Sequence, residues 1–341
     1  MASKKLFNTI DSRILRKKAA ENTQPFITVS FYKYFTIQDP ASFRDLLYES
    51  WSSLEILGRT YIASEGINAQ IAVPEPNYER FITKLYSITE LNGVRLNTAI
   101  ESGALAFFKL IIRVKSKIVA DGITDPSFNP ANTGVHLNAD AFNEIISRPD
   151  TLLVDMRNHY ESEVGHFKGA ILPDSDSFRD EIHLVEKMLD EQRDKHIVMY
   201  CTGGIRCEKA SAYLKHKGFA NVYQLEGGII KYTRDVREAG LENKFVGVNF
   251  VFDERLAERV SDDVIANCHT CHKPFDVHTN CANPCCHILF IQCEDCKVTY
   301  NNCCSIECKT IVALPAEEQR ILRKGKVAAR NVFRKARFNE G

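Results

Sequence analysis

No stretch of this chain approaches the roughly 18 consecutive apolar residues that a membrane-spanning helix needs, which excludes a helical span. Neither charge sign is in excess, since 44 Lys and Arg face 44 Asp and Glu. Global steering toward nucleic acid is therefore absent, and any such partner must be served by local patches. The N-terminal MASKKLFNTIDSRILRKKAAENT is charged and lacks the apolar core of a signal peptide, so a cytoplasmic protein is expected. Internal repeats and low-complexity tracts are missing. A hydrophobic content of 44% argues against disorder over most of the length. Cysteine is almost lacking before residue 268, where only Cys201 and Cys207 occur, and the other ten of the 12 lie between Cys268 and Cys308. In a reducing compartment that density favours metal thiolates over disulfides.

The 341 residues suffice for two or three domains. Residues 1–24 read as a basic, helical arm. Over 25–116 the pattern is β-α-β-β-α-β: FITVSFYKYF is a strand, Asp39 to Leu57 a helix with Pro40 at its start, GRTYIASEGINAQIAVP two strands around Gly66, Pro76 to Ser87 a helix, and Leu105 to Val114 a strand. This order predicts a ferredoxin-like (acylphosphatase-like) α+β domain. Residues 117–136, with Pro126, Pro130 and Gly134, read as a linker. From 137 to 240 short apolar strands, TLLVD, HIVMY and NVYQL, alternate with helices, the signature of a buried parallel α/β sheet. Residues 241–312 hold the Cys-rich candidate zinc module, and 313–341 form a basic, helical tail.

In open parallel sheets ligands bind beyond the carboxyl ends of the strands. Cys201 follows HIVMY directly, and Cys201, Thr202, Gly203, Gly204, Ile205 and Arg206 form a loop that leads into a helix. If the loop arches, its backbone N–H groups make an anion nest. Gly203 and Gly204 permit the positive φ such an arch needs, and Arg206 adds a fixed charge. A thiol in that field is held largely as thiolate and suits nucleophilic sulfur chemistry. Cys207, at the start of the helix, either resolves an oxidised or persulfidated Cys201 or simply packs beside the loop. Asp155 and Arg157 form a supporting pair near the end of TLLVD. His159 and Glu161 offer an H-x-E fragment that would suit iron, and His166 has the placement of a turn-orienting residue.

CTGGIR resembles the active-site loop of the rhodanese superfamily, whose leading Cys carries a persulfide. LLVDMRNHYESEVGHFKGA (152–170) is similar to the rhodanese D-x-R and G-H-x-x-G-A segments, and VYQLEGGIIKY (222–232) to its last strand and glycine pair. The span from Cys201 to Arg206 is six residues, one shorter than the phosphatase version of this loop, so the resemblance disfavours phosphatase chemistry. FITVSFYKYF (26–35), EGINAQIAVP (65–74), IVADGI (118–123), NFVFDER (249–255) and NCHTC (267–271) extend the likeness to a bacterial family of rhodanese-type tRNA uridine hydroxylases. That resemblance implies oxygen-dependent conversion of wobble uridine to 5-hydroxyuridine, with molecular oxygen as co-substrate, no organic cofactor evident, and the tRNA anticodon region as partner. A sulfurtransferase passing persulfide sulfur to an acceptor, or a non-catalytic tRNA-binding adaptor, are the alternatives.

In the module, Cys268-x-x-Cys271 and Cys293-x-x-Cys296 have zinc-knuckle spacing. Cys281, Cys285, Cys304 and Cys308 are the candidate second set, which leaves two of the ten thiols over. An iron–sulfur cluster competes with structural zinc, and nearby histidines could replace a thiol. The last 22 residues, RILRKGKVAARNVFRKARFNEG, hold eight basic residues and one acidic. With Lys4, Lys5, Arg13, Arg16, Lys17 and Lys18 they are candidates for tRNA phosphate contacts, and Phe333 and Phe338 for base stacking; a solubilising tail is the alternative.

Overall fold

The computed structural model describes residues 6, 8, 10–101 and 106–323. Helix α1 (Ser12–Glu21) precedes an α+β unit made of β1 (Phe26–Tyr34), α2 (Pro40–Ser52), β2 (Leu57–Ala63), β3 (Gly66–Pro74), α3 (Tyr78–Tyr86), β4 (Asn97–Thr98) and β5 (Leu110–Val114). The sheet order is β4-β1-β3-β2-β5, an acylphosphatase-like arrangement. One refinement concerns the last strand. The edge next to β1 is taken by the two-residue β4, while β5 runs parallel to β2 on the other side.

Alternation along these strands decides what each face does. Val29 and Phe31 of β1 and Ile67, Ala69 and Ile71 of β3 point into the core, where Trp51 of α2 and Phe81 and Leu85 of α3 cover them. Both helices lie on that face. Thr28, Ser30 and Tyr32, and Asn68 and Gln70, therefore project from the opposite face, which carries no helix of its own unit.

The central unit comprises β6 (Val135–Leu137), α4 (Ala139–Ile145), β7 (Thr151–Asp155), α5 (His159–Ser162), β8 (Gly165–Phe167), α6 (Phe178–Met188), β9 (His196–Tyr200), α7 (Ile205–His216), β10 (Asn221–Leu225) and α8 (Gly228–Ala239). Its sheet, β6-β10-β9-β7, is parallel throughout. Strand β9 is central and buried on both faces. Ile197 and Met199 pack with α6 and α7, and Val198 and Tyr200 with α4 and α8, which explains why HIVMY is apolar at every position but one. Strand β11 (Phe245–Phe250) then joins β8 and β12 (Ala257–Arg259) in a separate three-stranded sheet. The Cys-rich module contains β13 (His278–Asn280), β14 (Leu289–Ile291), α9 (Glu294–Tyr300) and α10 (Ile306–Ala313), followed by α11 (Ala316–Arg323). The residues of the tail beyond 323, and Lys4 and Lys5, lie outside the described residues.

The bare face of the first sheet is laid over the central unit and tied there by polar contacts. The Tyr32 hydroxyl donates to Glu208 Oε1 at 2.8 Å, and His136 Nε2 lies 3.0 Å from the same oxygen. Lys209, 2% exposed, reaches Glu65 Oε2 at 2.6 Å and Asp121 Oδ2 at 3.2 Å. The pairs Arg95–Glu226 and Arg234–Thr98 add to the seam. Replacing Lys209 by Met leaves Glu65 without its cation and Asp121 with Lys117 alone, against an apolar stem. Urea denaturation of K209M is expected to show a loss of about 3 kcal/mol or more, whereas a loss within about 0.5 kcal/mol, typical of surface changes, would show that the seam does not depend on this cation.

Candidate active site

Strand β9 ends at Tyr200, and the chain turns at once into α7, which begins at Ile205 rather than at Cys207. Cys207 is thus the third helical residue, with its thiol buried beside the loop. The turn is closed by Gly204 at φ +97°, where a Cβ would meet the Tyr32 hydroxyl at 2.9 Å; its N–H donates to Cys201 Sγ at 3.1 Å. Only the second of the two loop glycines needs the left-handed conformation. The glycine pair of VYQLEGGIIKY has a defined task. At Gly228, φ +65°, a Cβ would lie 2.4 Å from Cys201 O, and α8 therefore starts hard against the loop. Ile229 N–H donates to Cys201 O at 3.0 Å and Ile230 N–H to Thr202 O at 3.2 Å.

Burial alone would push the Cys201 thiol up. The Cys207 thiol, the Arg206 guanidinium and the backbone N–H groups of Cys207 and Arg206 outweigh that penalty and bring it to about 6. Cys207 moves the other way, raised by its own burial and by the neighbouring Cys201 charge. The helix terminus does not make two thiolates. It makes one, with Cys207 protonated and donating to it.

Arg206 is itself fixed. It meets Glu161 through two bonds, Nη1 to Oε1 at 2.6 Å and Nη2 to Oε2 at 2.8 Å, a planar fork-to-fork pair. Glu161 also closes a capping box with Asn158 at the start of α5. Both of its oxygens are thus engaged, while His159 Nδ1 faces Asp176 at 3.1 Å, so the H-x-E fragment is structural. His166 Nδ1 lies 2.9 Å from Ser162 O and orients a turn as expected. Asp155 and Arg157 form the expected pair, both fully buried. Arg157 Nε and Nη2 donate to the carboxylate at 2.9 and 2.7 Å, and the Tyr200 hydroxyl donates to it at 2.7 Å. Neither lines the cavity described next. They hold the ends of β7 and β9 together beneath the loop.

Cys201, Thr202, Gly203, Ile205 and Arg206 line one wall of a cavity of about 320 Å³, within the range of small-ligand sites. The opposite wall is the bare face of the first sheet: Ser30 and Tyr32 of β1, Arg59 and Tyr61 of β2, Asn68 and Gln70 of β3 and Asn97 of β4. Ile118, Val119, Phe252, Asp253, Arg255 and Glu258 close the rest. All four segments that carry the family likeness between the chain start and the module, FITVSFYKYF, EGINAQIAVP, IVADGI and NFVFDER, therefore contribute to this one cavity. Among the aromatics of the first, Phe31 is core, Tyr32 lines the cavity, and Tyr34 lies under Lys209 at 5.3 Å. The wall positions of Arg59, Gln70 and Asn97, and the seam residues Glu208, Lys209 and Glu65, carry no local motif. Strand alternation at EGINAQIAVP is the one signal that set Asn68 and Gln70 apart from the core positions.

In the module the Sγ atoms of Cys268, Cys271, Cys293 and Cys296 lie within 4.8 Å of one another, as do those of Cys281, Cys286, Cys304 and Cys308. The second set differs from expectation, since Cys286 stands where Cys285 was expected. The N–H of Cys285 and the N–H of Cys286 both turn back to Asn283, to its side chain at 3.1 Å and its carbonyl at 2.9 Å. That tight turn swings the later thiol to Cys304, Sγ to Sγ 3.6 Å. Cys285 and Cys303 are the two left over. Arg16 stays exposed and pairs with Glu254 at 3.2 Å, stacking on Phe108 at 4.6 Å. No helix among the described residues is long and apolar enough to cross a membrane.

A parallel sheet, a six-residue loop with a lowered-pKa thiol at the carboxyl end of a central strand, and an arginine locked beside it define a rhodanese-type domain. The comparisons agree: residues 138–235 match the rhodanese-like domain family, 26–118 the UPF0176 acylphosphatase like domain and 246–309 the rhodanase C-terminal family. Over 333 residues, 97% of this chain, it is 54% identical to the tRNA uridine(34) hydroxylase of Pectobacterium carotovorum, of which 94% is covered. The protein of that name from Photorhabdus laumondii is 52% identical over 97% of this chain and 95% of its own length, and that from Yersinia pestis 53% over 97% and 94%. The chain belongs to the tRNA uridine(34) hydroxylase family.

The thiolate is directly measurable. Iodoacetamide alkylation of Cys201, followed by peptide mass, is expected to rise with a midpoint near pH 6, because only the ionised form reacts. A midpoint near the ordinary thiol value of about 8.5 would contradict the electrostatic reading of the loop.

Proposed function

We propose that this chain hydroxylates the wobble uridine of tRNA at C5, giving 5-hydroxyuridine, with Cys201 as the reactive sulfur and molecular oxygen as co-substrate. What carries this reading is a thiol lowered to about 6 in the wall of a cavity of a chain whose full-length relatives bear that enzyme's name. A base of the anticodon loop is unpaired and is swung out into the cavity.

Uracil C5 is a weak nucleophile. Addition of the Cys201 thiolate at C6 makes C5 enolate-like. That carbon takes an electrophilic oxygen atom derived from O2; loss of the C5 proton and release of Cys201 then restore the ring. One O2 is consumed per product. Its second atom leaves as water, with two protons and two electrons from an external two-electron reductant. Cys207, protonated beside Cys201, supplies a proton donor at the sulfur. In a persulfide route Cys201 instead carries the sulfur that activates oxygen, and both routes stop when the thiol is replaced.

In this reading 25–116 forms the wall opposite the thiol, 137–240 carries the thiol and 241–312 is a metal-held module. The two thiol quartets fit zinc. A tetrahedral ion with Zn–S bonds of about 2.3 Å places its sulfurs about 3.8 Å apart, and the close pairs here are 3.6, 3.6 and 3.8 Å. Such spacing is too tight to enclose a cluster of several irons and sulfides. The ions cross-link a segment with little core of its own. The basic stretch from Arg320 onward neutralises tRNA phosphates.

Two experiments test this. Nucleoside mass spectrometry of unmodified tRNA incubated with the protein and a reductant under heavy-isotope oxygen is expected to give labelled 5-hydroxyuridine, and none with C201S. Absence of label, with a persulfide on Cys201, returns the chain to sulfur transfer. Native mass spectrometry is expected to find two zinc ions per chain, one in C286A and two in C285A; two ions in C286A would refute the assigned quartet.

A further inference from the structure

The cavity wall opposite Cys201 is a single cross-strand row. Asn97 pairs with Ser30, Ser30 with Gln70 and Gln70 with Arg59. All four side chains line the cavity. Asn97 is 4% exposed and its amide oxygen is buried without a partner. Among the described residues, the side chains of Ser30, Gln70 and Arg59 make no hydrogen bond or ion pair, although the Asp253 carboxylate lines the same cavity; Arg255 holds that carboxylate at 2.8 and 2.6 Å. A buried polar atom left unpaired, as in Asn97, is unusual in a finished fold; with three further unpaired polar side chains beside it in the same cavity, the row points to a ligand edge.

A pyrimidine determines which edge arrives there. C5 and C6 lie on one side of the ring, and the N3 edge with its flanking groups lies on the other. A ring whose C5–C6 edge faces Cys201 turns its N3 edge to the opposite wall. In uracil that edge offers O4 as acceptor, N3–H as donor and O2 as acceptor. In cytosine it offers an amino donor at C4 and a bare acceptor at N3. The amides of Gln70 and Asn97 can turn to suit either base. Arg59 cannot, because a guanidinium only donates.

We propose that this row reads the base, with Arg59 donating to O4 and the Gln70 and Asn97 amides meeting N3–H and O2, and that Arg59 thereby selects uracil over cytosine. The inference rests on the reading of the cavity as a uridine site. A cytosine placed there would set its amino group against a donor that has no acceptor, and bury both unsatisfied.

The test is equilibrium binding of the full-length protein to two anticodon stem-loop RNAs identical except for U34 or C34, by fluorescence anisotropy. The wild type is expected to prefer U34 by about tenfold or more. In R59Q, where an amide can accept from the cytosine amino group, the preference collapses to within about twofold with C34 binding held or improved. Q70L, which leaves no partner stranded, loses U34 affinity while keeping its thermal midpoint. Equal binding of both RNAs by the wild type overturns the proposal. So does R59Q weakening both RNAs alike, which would make Arg59 a phosphate contact. Hydroxylation of U34 tRNA is followed in the same samples. Product without preference leaves the activity standing and removes the base-reading row. Preference without product does the reverse.

Discussion

A negative charge is held on Cys201 with almost no water to stabilise it, and the architecture follows from that requirement. The thiol is 1% exposed. Its charge is stabilised by the Gly204 N–H, the Cys207 thiol and Arg206. Arg206 is useful only if it stays put, and Glu161 holds it by both carboxylate oxygens. Glu161 stays put because it closes the capping box with Asn158, on the segment that Arg157 and Asp155 pin to the end of the central strand through Tyr200. Each member is buried and each is paired, which is the condition under which buried charge is tolerated. On the far side, Gly228 lets the start of α8 press against the loop, where its N–H groups satisfy the carbonyls of Cys201 and Thr202.

The first sheet complements this loop. Its apolar face is used up on α2 and α3. Its other face is polar and would be ordinary solvent surface if the unit stood alone. Docked through Tyr32–Glu208 and Lys209–Glu65, that face becomes the wall of a cavity whose floor is the thiol. The seam also shields the thiolate, since excluding solvent strengthens each remaining electrostatic contact. The Cys-rich module stands at the same assembly, because the NFVFDER segment that leads into it supplies Phe252, Asp253 and Arg255 to the cavity.

Local chemistry was legible in the sequence where it is local in the chain. CTGGIR is continuous, so strand, thiol, glycine and arginine could be read in order, and HIVMY and TLLVD announce buried parallel strands by their short apolar runs. The first unit's order was legible through its alternation, except for Asn97–Thr98, a strand too short to carry any propensity. Where a property depends on docking, the letters were silent. Lys209 meets Glu65 across 144 positions, and nothing in either neighbourhood announces the pair. A helix start favours a thiolate, yet at Cys207 burial and the neighbouring Cys201 charge keep the thiol protonated. Cys285 and Cys286 are adjacent, and a single turn around Asn283 decides which one reaches Cys304. Arg59 reads as one more charge on a strand until the sheet's bare face is placed opposite the loop.

The central claim is that a uridine enters the space between the polar sheet face and the loop with C5 toward Cys201. An anticodon stem-loop carrying 5-iodouridine at position 34 forms a radical at C5 on irradiation and joins to whatever side chain lies beside that carbon. Peptide mapping of the adduct is predicted to find the cross-link at Cys201 or at Phe178, which packs in the same cluster, and to lose it when unlabelled U34 stem-loop is added in excess; a cross-link at Tyr32 or Tyr61 of the opposite wall would turn the base the other way round. A cross-link confined to the Cys-rich module or the basic tails would place the base elsewhere and contradict the account.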